Sequence, residues 1–300
     1  MADAFDVVVV GSANLDLVAT TSRIPGPGET VLGRDYAEYP GGKGLNQAVA
    51  AARSGSDVAF VASVGDDEAG RRLLATATRD AVDVSAVGIV PASPTGRALI
   101  TVDEHAENCI VVVPGANGHR FSPTVPAARV ALAQLEVPVD VVIAALRSAR
   151  AAGALTVLNP APAQDLPPEL LAICDVIVPN EHEVDLIGGV ERLHEAGVDA
   201  VVITRGAQGV EVSVRSTGRR WIRPPFAVEV VDTTGAGDAF CGALAARLAL
   251  GDPLEAAVEW SAAAGALATT VAGAVPSLPR AGAIRALLGS ATVGGGAGVP

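Results

Sequence analysis

The chain has 300 residues, and its 33 Asp and Glu against 21 Lys and Arg give a formal charge of −12. That balance opposes nucleic-acid binding, which needs a basic footprint. Half of the residues are hydrophobic and 18% are charged, which excludes a wholly disordered chain, while aromatics at 3% leave Ala, Val, Leu and Ile to build the core.

Residues 6–11 (DVVVVG) form a short apolar run ending at glycine, the pattern of a strand buried on both faces. The acidic residues before it fit a first strand better than a signal peptide, and three scattered cysteines, Cys109, Cys174 and Cys241, suggest neither a disulfide framework nor a zinc site. A cytoplasmic location is expected. Similar apolar runs recur at 58–64, 155–158, 176–178 and 200–204. Helical spacing lies between several of them, at 45–53, 68–79, 139–152 and 181–187. This alternation predicts an α/β fold, a three-layer α/β/α sandwich around a mainly parallel sheet.

Two stretches break the alternation. Residues 16–39 are punctuated by Pro25, Gly26, Pro27 and Gly28, and residues 96–113 read as two strands around 103–107. Both are excursions from the main sheet, either ordinary surface hairpins or a small β-sheet lid able to exclude water from a site. An antiparallel pair is expected at 210–214 and 219–223, with helices from about Gly235. The uncharged stretch 261–279 carries Gly265, Gly273 and Pro276 and reads as a buried helix followed by a loop, not a membrane span. One α/β domain over 1–288 and a flexible Gly-rich tail over 289–300 are the expected organisation.

The strongest chemical signal is Asp232-Thr233-Thr234-Gly235-Ala236-Gly237-Asp238, ahead of a helix at 239–250. A Gly-Ala-Gly turn entering a helix exposes successive backbone N–H groups at the positive end of the helix dipole, which makes an anion site. Asp238 puts a carboxylate beside it, able to take a proton from a hydroxyl attacking a phosphoryl group. The alternative is an acidic residue that merely favours a helix N-terminus. A second cluster, Gly41-Gly42-Lys43-Gly44, precedes a helix carrying Asn46 and Gln47, but it lacks the G-x-x-x-x-G-K-[ST] pattern of a Walker loop. Bare backbone there can approach a polyhydroxylated ligand, with Lys43 and Asn46 as donors.

Together these residues resemble the ribokinase branch of the PfkB carbohydrate kinase family. The likeness runs through GSANLD (11–16), PGET (27–30), GGKGLNQAVAAARSG (41–55), VGDDEAG (64–70), ENCIVVVPGAN (107–117) and QLEVP (134–138). It continues in NPAPA (159–163), PNEHE (179–183), TRGAQG (204–209), DTTGAGD (232–238) and GAVPSLP (273–279). The resemblance implies transfer of a phosphoryl group from ATP to a pentose hydroxyl, ribose to ribose 5-phosphate. Asp238 would be the base, and Gly235, Ala236 and Gly237 the anion hole. Asn14, Asp16, Gly42, Lys43, Asn46 and Glu136 match the family's sugar-holding positions. Asn180 and Glu183 match its N-x-x-E motif, which organises Mg2+ and phosphate. Thr204, Gly206 and Gly209 match the turn near the ATP phosphates, and Ser261 falls on the helix flanking adenine. Relatives also bind K+, for which the matching ligands are Asp232, Thr234, Ala268, Val271, Gly273 and Ser277. A homodimer paired through the lid strands is a further implication.

The intervals 118–133 and 184–199 look shorter than in the family, so a peripheral helix or crossover is expected to be trimmed. Another sugar or nucleoside as acceptor is the nearest alternative function, and a sugar sensor without turnover is an alternative of another class. His105, His119, His182 and His194 show no metal spacing and are read as surface residues.

Overall fold

The computed structural model describes residues 4–105 and 107–294. Strand β1 (Phe5–Val10) is followed by β2 (Asn14–Thr21), β3 (Gly33–Gly41) and helix α1 (Lys43–Arg53). Next come β4 (Val58–Val61), β5 (Ser63–Gly65), α2 (Glu68–Arg79), β6 (Val82–Asp83) and β7 (Gly88–Val90). The middle of the chain holds β8 (Gly96–Val102), β9 (Asn108–Val113), β10 (Ala128–Ala133), α3 (Val139–Ala151), β11 (Leu155–Leu158) and α4 (Pro168–Leu171). Then follow β12 (Val176–Ile177), α5 (Glu181–Leu186), α6 (Gly189–Glu195), β13 (Ala200–Thr204), β14 (Val210–Val214) and β15 (Arg219–Arg223). The C-terminal part is helical, with α7 (Ala236–Ala249), α8 (Leu254–Ala268), α9 (Ala274–Ser277) and α10 (Ala281–Gly294).

The main sheet has nine strands in the order β15-β14-β13-β12-β11-β10-β1-β4-β6, parallel except for the antiparallel β13-β14-β15 edge. Alternate residues of β1 enter opposite layers. Val7 and Val9 pack with Leu45 and Val49 of α1 and Leu244 of α7, and Val8 and Val10 with Val142 and Leu146 of α3. Two-sided burial of a β-branched run is what a parallel sheet between helices requires. The three-layer α/β/α sandwich is therefore present.

The stretches read as excursions form a separate four-stranded sheet in the order β3-β2-β8-β9. Its two hairpins are antiparallel, and β2 and β8 join them in parallel. The run read as a single strand at 58–64 divides in two, because β5 leaves the main sheet to pair with β7. At the far end α10 continues through Gly294, past the point where a tail was expected to begin, and residues 295–300 lie outside the described residues.

One central strand, β10, escaped the sequence reading although it pairs with both β1 and β11. Its start carries the charged Arg129, exposed and close to Asp6, which interrupts the apolar run. Among the described residues, only the 3-10 turn Gly115–Gly118 lies between β9 and β10. The interval 184–199 keeps its crossover, built from α5 and α6. His194 of α6 is not a plain surface residue, since its ring bonds Val198 O at 3.0 Å and Ser213 Oγ at 2.8 Å. Among the described residues, no helix is long and apolar enough to cross a membrane.

Candidate active site

The parallel strands β1, β10, β11, β12 and β13 all deliver polar residues at or just beyond their C-terminal ends: Ser12, Gln134 and Glu136, Asn159, Asn180 and Thr204. In open α/β sheets this edge is where ligands bind. Here it is completed by the N-termini of α1 and α7, which pack side by side.

Asp238 lies in the first turn of α7, whose N-cap is Gly235 in the left-handed region at φ +78°. The carboxylate is buried, and each oxygen receives a side-chain N–H from α1: Oδ2 from Asn46 at 2.8 Å and Oδ1 from Gln47 at 2.9 Å. Asn46 donates its NH2 to Asp238, and its Oδ1 is buried without a hydrogen-bond partner among the described residues. Ala236 N–H closes a turn onto Thr233 O at 3.2 Å, while Gly235 and Gly237 face the cavity.

On the lid side, Asp16 of β2 lies over the backbone of Gly41, where a Cβ would stand 2.1 Å from its Oδ2. Only glycine allows that approach. Burial, and then the neighbouring charges of Glu136 and Asp238, push the Asp16 carboxyl up to about 7. Glu136 accepts from Ser12 Oγ and from the backbone N–H of Lys43 at 3.0 Å, which ties β10 to the start of α1. Burial alone would lower the Lys43 ammonium, but Asp238, Glu136 and Glu183 around it hold it above its ordinary value. Asn14 is fixed by Asn117, whose amide donates to Asn14 Oδ1 at 2.7 Å and to Ala13 O at 3.1 Å. Gly42 is the N-cap of α1 at φ +90°.

A cavity of about 220 Å³ opens beside these groups. Of the residues singled out from sequence, Lys43, Asn180, Glu183, Thr204, Gly235, Gly237 and Asp238 line it. Asn180 caps α5 by accepting from His182 N and Glu183 N, and Glu183 returns a bond to Asn180 N at 2.8 Å. The N-x-x-E spacing is thus a reciprocal capping box as well as a polar wall. Burial raises the Glu183 carboxyl above its usual range, against the lowering effects of its bond to Asn180 and of Lys43. Thr204 stands beside Asn180 through a parallel bridge.

Three expected nucleotide residues stand away from that wall. Gly206 and Gly209 shape the turn after β13, with Arg205 N bonded to Gly209 O at 2.9 Å. Ser261 is fully buried and donates to Ala257 O of its own helix at 2.6 Å. In the segment matched to the cation site, Asp232 accepts from Thr234 N, Thr234 Oγ1 and Gly273 N at 2.9, 2.7 and 2.8 Å. Burial would raise the Asp232 carboxyl, but these bonds hold it below the usual range. Ala268 and Ser277 are buried nearby in sequence, with Ser277 Oγ on Ala274 O, and Val271 is exposed. Among the described residues, no group of three or more His, Cys, Asp or Glu could hold a metal by itself.

Sequence reasoning gave no role to Gln47, Gln134, Asn159, Asn117 or Cys241. The first four sat inside quoted motifs, and Cys241 lines the cavity one turn after Asp238, its thiol pushed up by burial.

The sequence model described as pfkB family carbohydrate kinase matches residues 4–281. The chain belongs to this family. Its curated relatives include a ribokinase of Haemophilus influenzae, 38% identical over 292 residues, covering 91% of this chain and 95% of that protein. A Bacillus subtilis ribokinase is 36% identical over 294 residues, covering 94% and 99%. Among solved structures, the Arabidopsis thaliana ribokinase complexed with ribose and ATP superposes with a TM-score of 0.87 at 31% identity, covering 95% of this chain and 99% of that one.

Proposed function

We propose that the protein phosphorylates D-ribose at its 5-hydroxyl with ATP, giving ribose 5-phosphate and ADP. The observation that carries this reading is the buried Asp238 at the start of α7. It lies between a polyol-type side, with Asp16, Glu136 and Asn46, and a side walled by Asn180, Glu183 and Thr204. The relatives support the substrates: they are ribokinases, and one was solved with ribose and ATP.

In this reading Asp16 and Glu136 accept from the sugar hydroxyls, Lys43 donates to them, and Asn14, Gly42 and Asn46 complete the polar surface, since carboxylates discriminate polyols from apolar ligands. Asp238 takes the proton of the 5-hydroxyl as its oxygen forms a bond to the γ-phosphorus. The bond from that phosphorus to the bridging oxygen breaks, and its electron pair leaves with ADP. Backbone N–H groups of Gly235 and Gly237 stabilise the charge spread over the transferred phosphoryl oxygens, and Ala236 N–H joins them once it leaves Thr233 O. Gly206, Gly209 and Ser261 belong to the nucleotide side of this reading by their place in the motifs.

Glu183 presents a carboxylate to the cavity, and Mg2+ keeps several waters while binding phosphate oxygens, so the donors present fit a water-mediated ion held near Asn180 and Glu183. Bound with ATP, Mg2+ supplies charge neutralisation. The oxygens of Asp232, Thr234 and Ser277 and the main chain at Ala268, Val271 and Gly273 suit a large monovalent cation such as K+. It would add positive potential behind the anion hole. A cytoplasmic location is part of the reading, supported by three free cysteines. A homodimer is another part, supported by the edge strand β9, whose apolar residues 110–113 are all exposed.

The test is ADP release from Mg-ATP with ribose, deoxyribose, fructose and nucleosides, each in potassium or in sodium alone. Potassium-stimulated turnover preferring ribose is expected. Preference for another acceptor replaces the substrate, and sugar binding without ADP release overturns the enzyme reading.

A further inference from the structure

We propose that Gln47 is a positioning residue for Asp238, part of a buried chain of amides that joins Gln134, Gln47 and Asn159. The proposal rests on the reading of Asp238 as the base.

Gln47 and Gln134 are fully enclosed and Asn159 is 8% exposed. The two hydrogens of Gln47 Nε2 have two acceptors, Asp238 Oδ1 at 2.9 Å and Asn159 Oδ1 at 3.0 Å. Gln47 Oε1 accepts from Gln134 Nε2 at 2.6 Å, and Asn159 Nδ2 donates to Val178 O at 2.8 Å. The direction of the chain is set at both of its ends, because an ionised carboxylate and a main-chain carbonyl can only accept. Asp238 requires the NH2 of Gln47, which turns Gln47 Oε1 toward Gln134 and calls for the NH2 of Gln134 in turn.

The consequence is visible at the far end. Gln134 Oε1 is buried with no hydrogen-bond partner, pressed against Gly11 where a Cβ would fall 1.9 Å from it. A buried amide oxygen left in this state is unfavourable. Reversing Gln134 and Gln47 would move the defect to Asp238, by facing an oxygen of Gln47 to its carboxylate. The unpartnered oxygen is thus displaced away from the reacting group.

The three amides come from three separate motifs: GGKGLNQA on α1, QLEVP after β10 and NPAPA after β11. Strand ends of the rigid main sheet thereby hold Gln47, and Gln47 with Asn46 holds one carboxylate oxygen each. A carboxylate gripped at both oxygens presents a fixed lone pair to the cavity, and small errors in such placement are expensive in rate.

Gln47→Met keeps the side-chain length and removes both donor hydrogens. Turnover is expected to fall about 30- to 100-fold while the KM for ribose stays within about threefold, with unfolding followed by calorimetry. In an Asp238→Asn background the same change should lower the residual rate less than about threefold, because the group it positions is gone. Equal losses in the two backgrounds, or a kcat for Gln47→Met within about threefold of wild type, overturn the proposal. Should Gln47→Met fail to fold, Gln134→Met, which never touches Asp238, gives the answer. A kcat loss of about three- to tenfold at unchanged KM supports the chain of amides, and a kcat within about twofold overturns it. Wild-type turnover in Asp238→Asn sinks the base assignment and this proposal with it. Loss in Asp238→Asn with full turnover in Gln47→Met sinks this proposal alone.

Discussion

Gly242 of α7 stands against the main chain of Gln47 in α1: a Cβ on it would fall 2.4 Å from Gln47 O and 2.6 Å from Ala50 Cβ. The two helices can approach closely only because position 242 carries no side chain. One turn earlier on α7 is Asp238, and the α1 residues it meets are Asn46 and Gln47. Gly242→Ala should therefore force the helices apart, costing about 1–3 kcal/mol of stability, and stretch both bonds to the carboxylate. Denaturant unfolding and turnover measured on the same sample check this. A variant as stable and active as wild type would show that the contact is slack.

Asp16 offers a pH test whose sign is fixed by its environment. Its folded pKa of about 7 lies above the ordinary 3.8, so its contribution to stability is full at low pH and is lost as pH rises through about 7. Asp16→Asn should remove that loss, stabilising the protein at pH 8 by about 1–3 kcal/mol after allowance for solvent screening, and by much less at pH 5. On the sugar-holding role proposed for Asp16, the same change should also raise the ribose KM. Melting curves at the two pH values decide the matter, and an equal shift at both would refute the assigned cause.

Much of this was legible in the sequence, and the rest was hidden for identifiable reasons. The β1 run, the helix after Gly237 and the two lid hairpins follow from periodicity and turn residues, which are local. Strand β10 was missed because Arg129 breaks its apolar pattern, and the reason it is tolerated, an exposed strand end beside Asp6, is a tertiary fact. The same holds for Gln47: beside Asn46 it reads as one more polar helix residue. Its role depends on Gln134 and Asn159, which lie 87 and 112 positions away in the chain. Asn180 and Glu183 were found for their motif, but nothing before the structure showed that they cap one another.

Arg53 closes α1 and carries a second expectation. Its Nε and Nη2 bind Asp80 at 2.9 and 2.8 Å, and its Nη1 binds Val275 O and Leu278 O at 2.8 and 2.7 Å. Arg280 adds a bond to Asp80 at 2.9 Å. Burial alone would raise the Asp80 carboxyl, but the two guanidinium groups hold it below its usual range. Its contribution to stability is therefore present at neutral pH and lost as pH falls. Arg53→Met leaves the buried Asp80 carboxylate to Arg280 alone and frees α9, whose Ala274 backs Gly235, and should cost about 2–4 kcal/mol. Urea unfolding measures the loss, and a change below about 1 kcal/mol would mean that Arg280 alone suffices.

The lid sheet ends at β9, which among the described residues is hydrogen-bonded on one side only, to β8. Exposed edges of this kind are templates for pairing, and soluble proteins usually blunt them with charge or cover them. Here Ile110, Val111, Val112 and Val113 are 50, 54, 47 and 44% exposed, so residues on both faces of the strand lack cover. A second copy of the lid is the occupant such an edge favours, and it would place the apolar residues of two lids against each other. Val111→Glu should shift the protein from dimer to monomer in sedimentation equilibrium at micromolar concentration. It should also raise the ribose KM, because a lid deprived of its partner holds Asp16 less firmly. Wild-type protein that sediments as a monomer would remove the dimer, and with it the link between assembly and sugar binding.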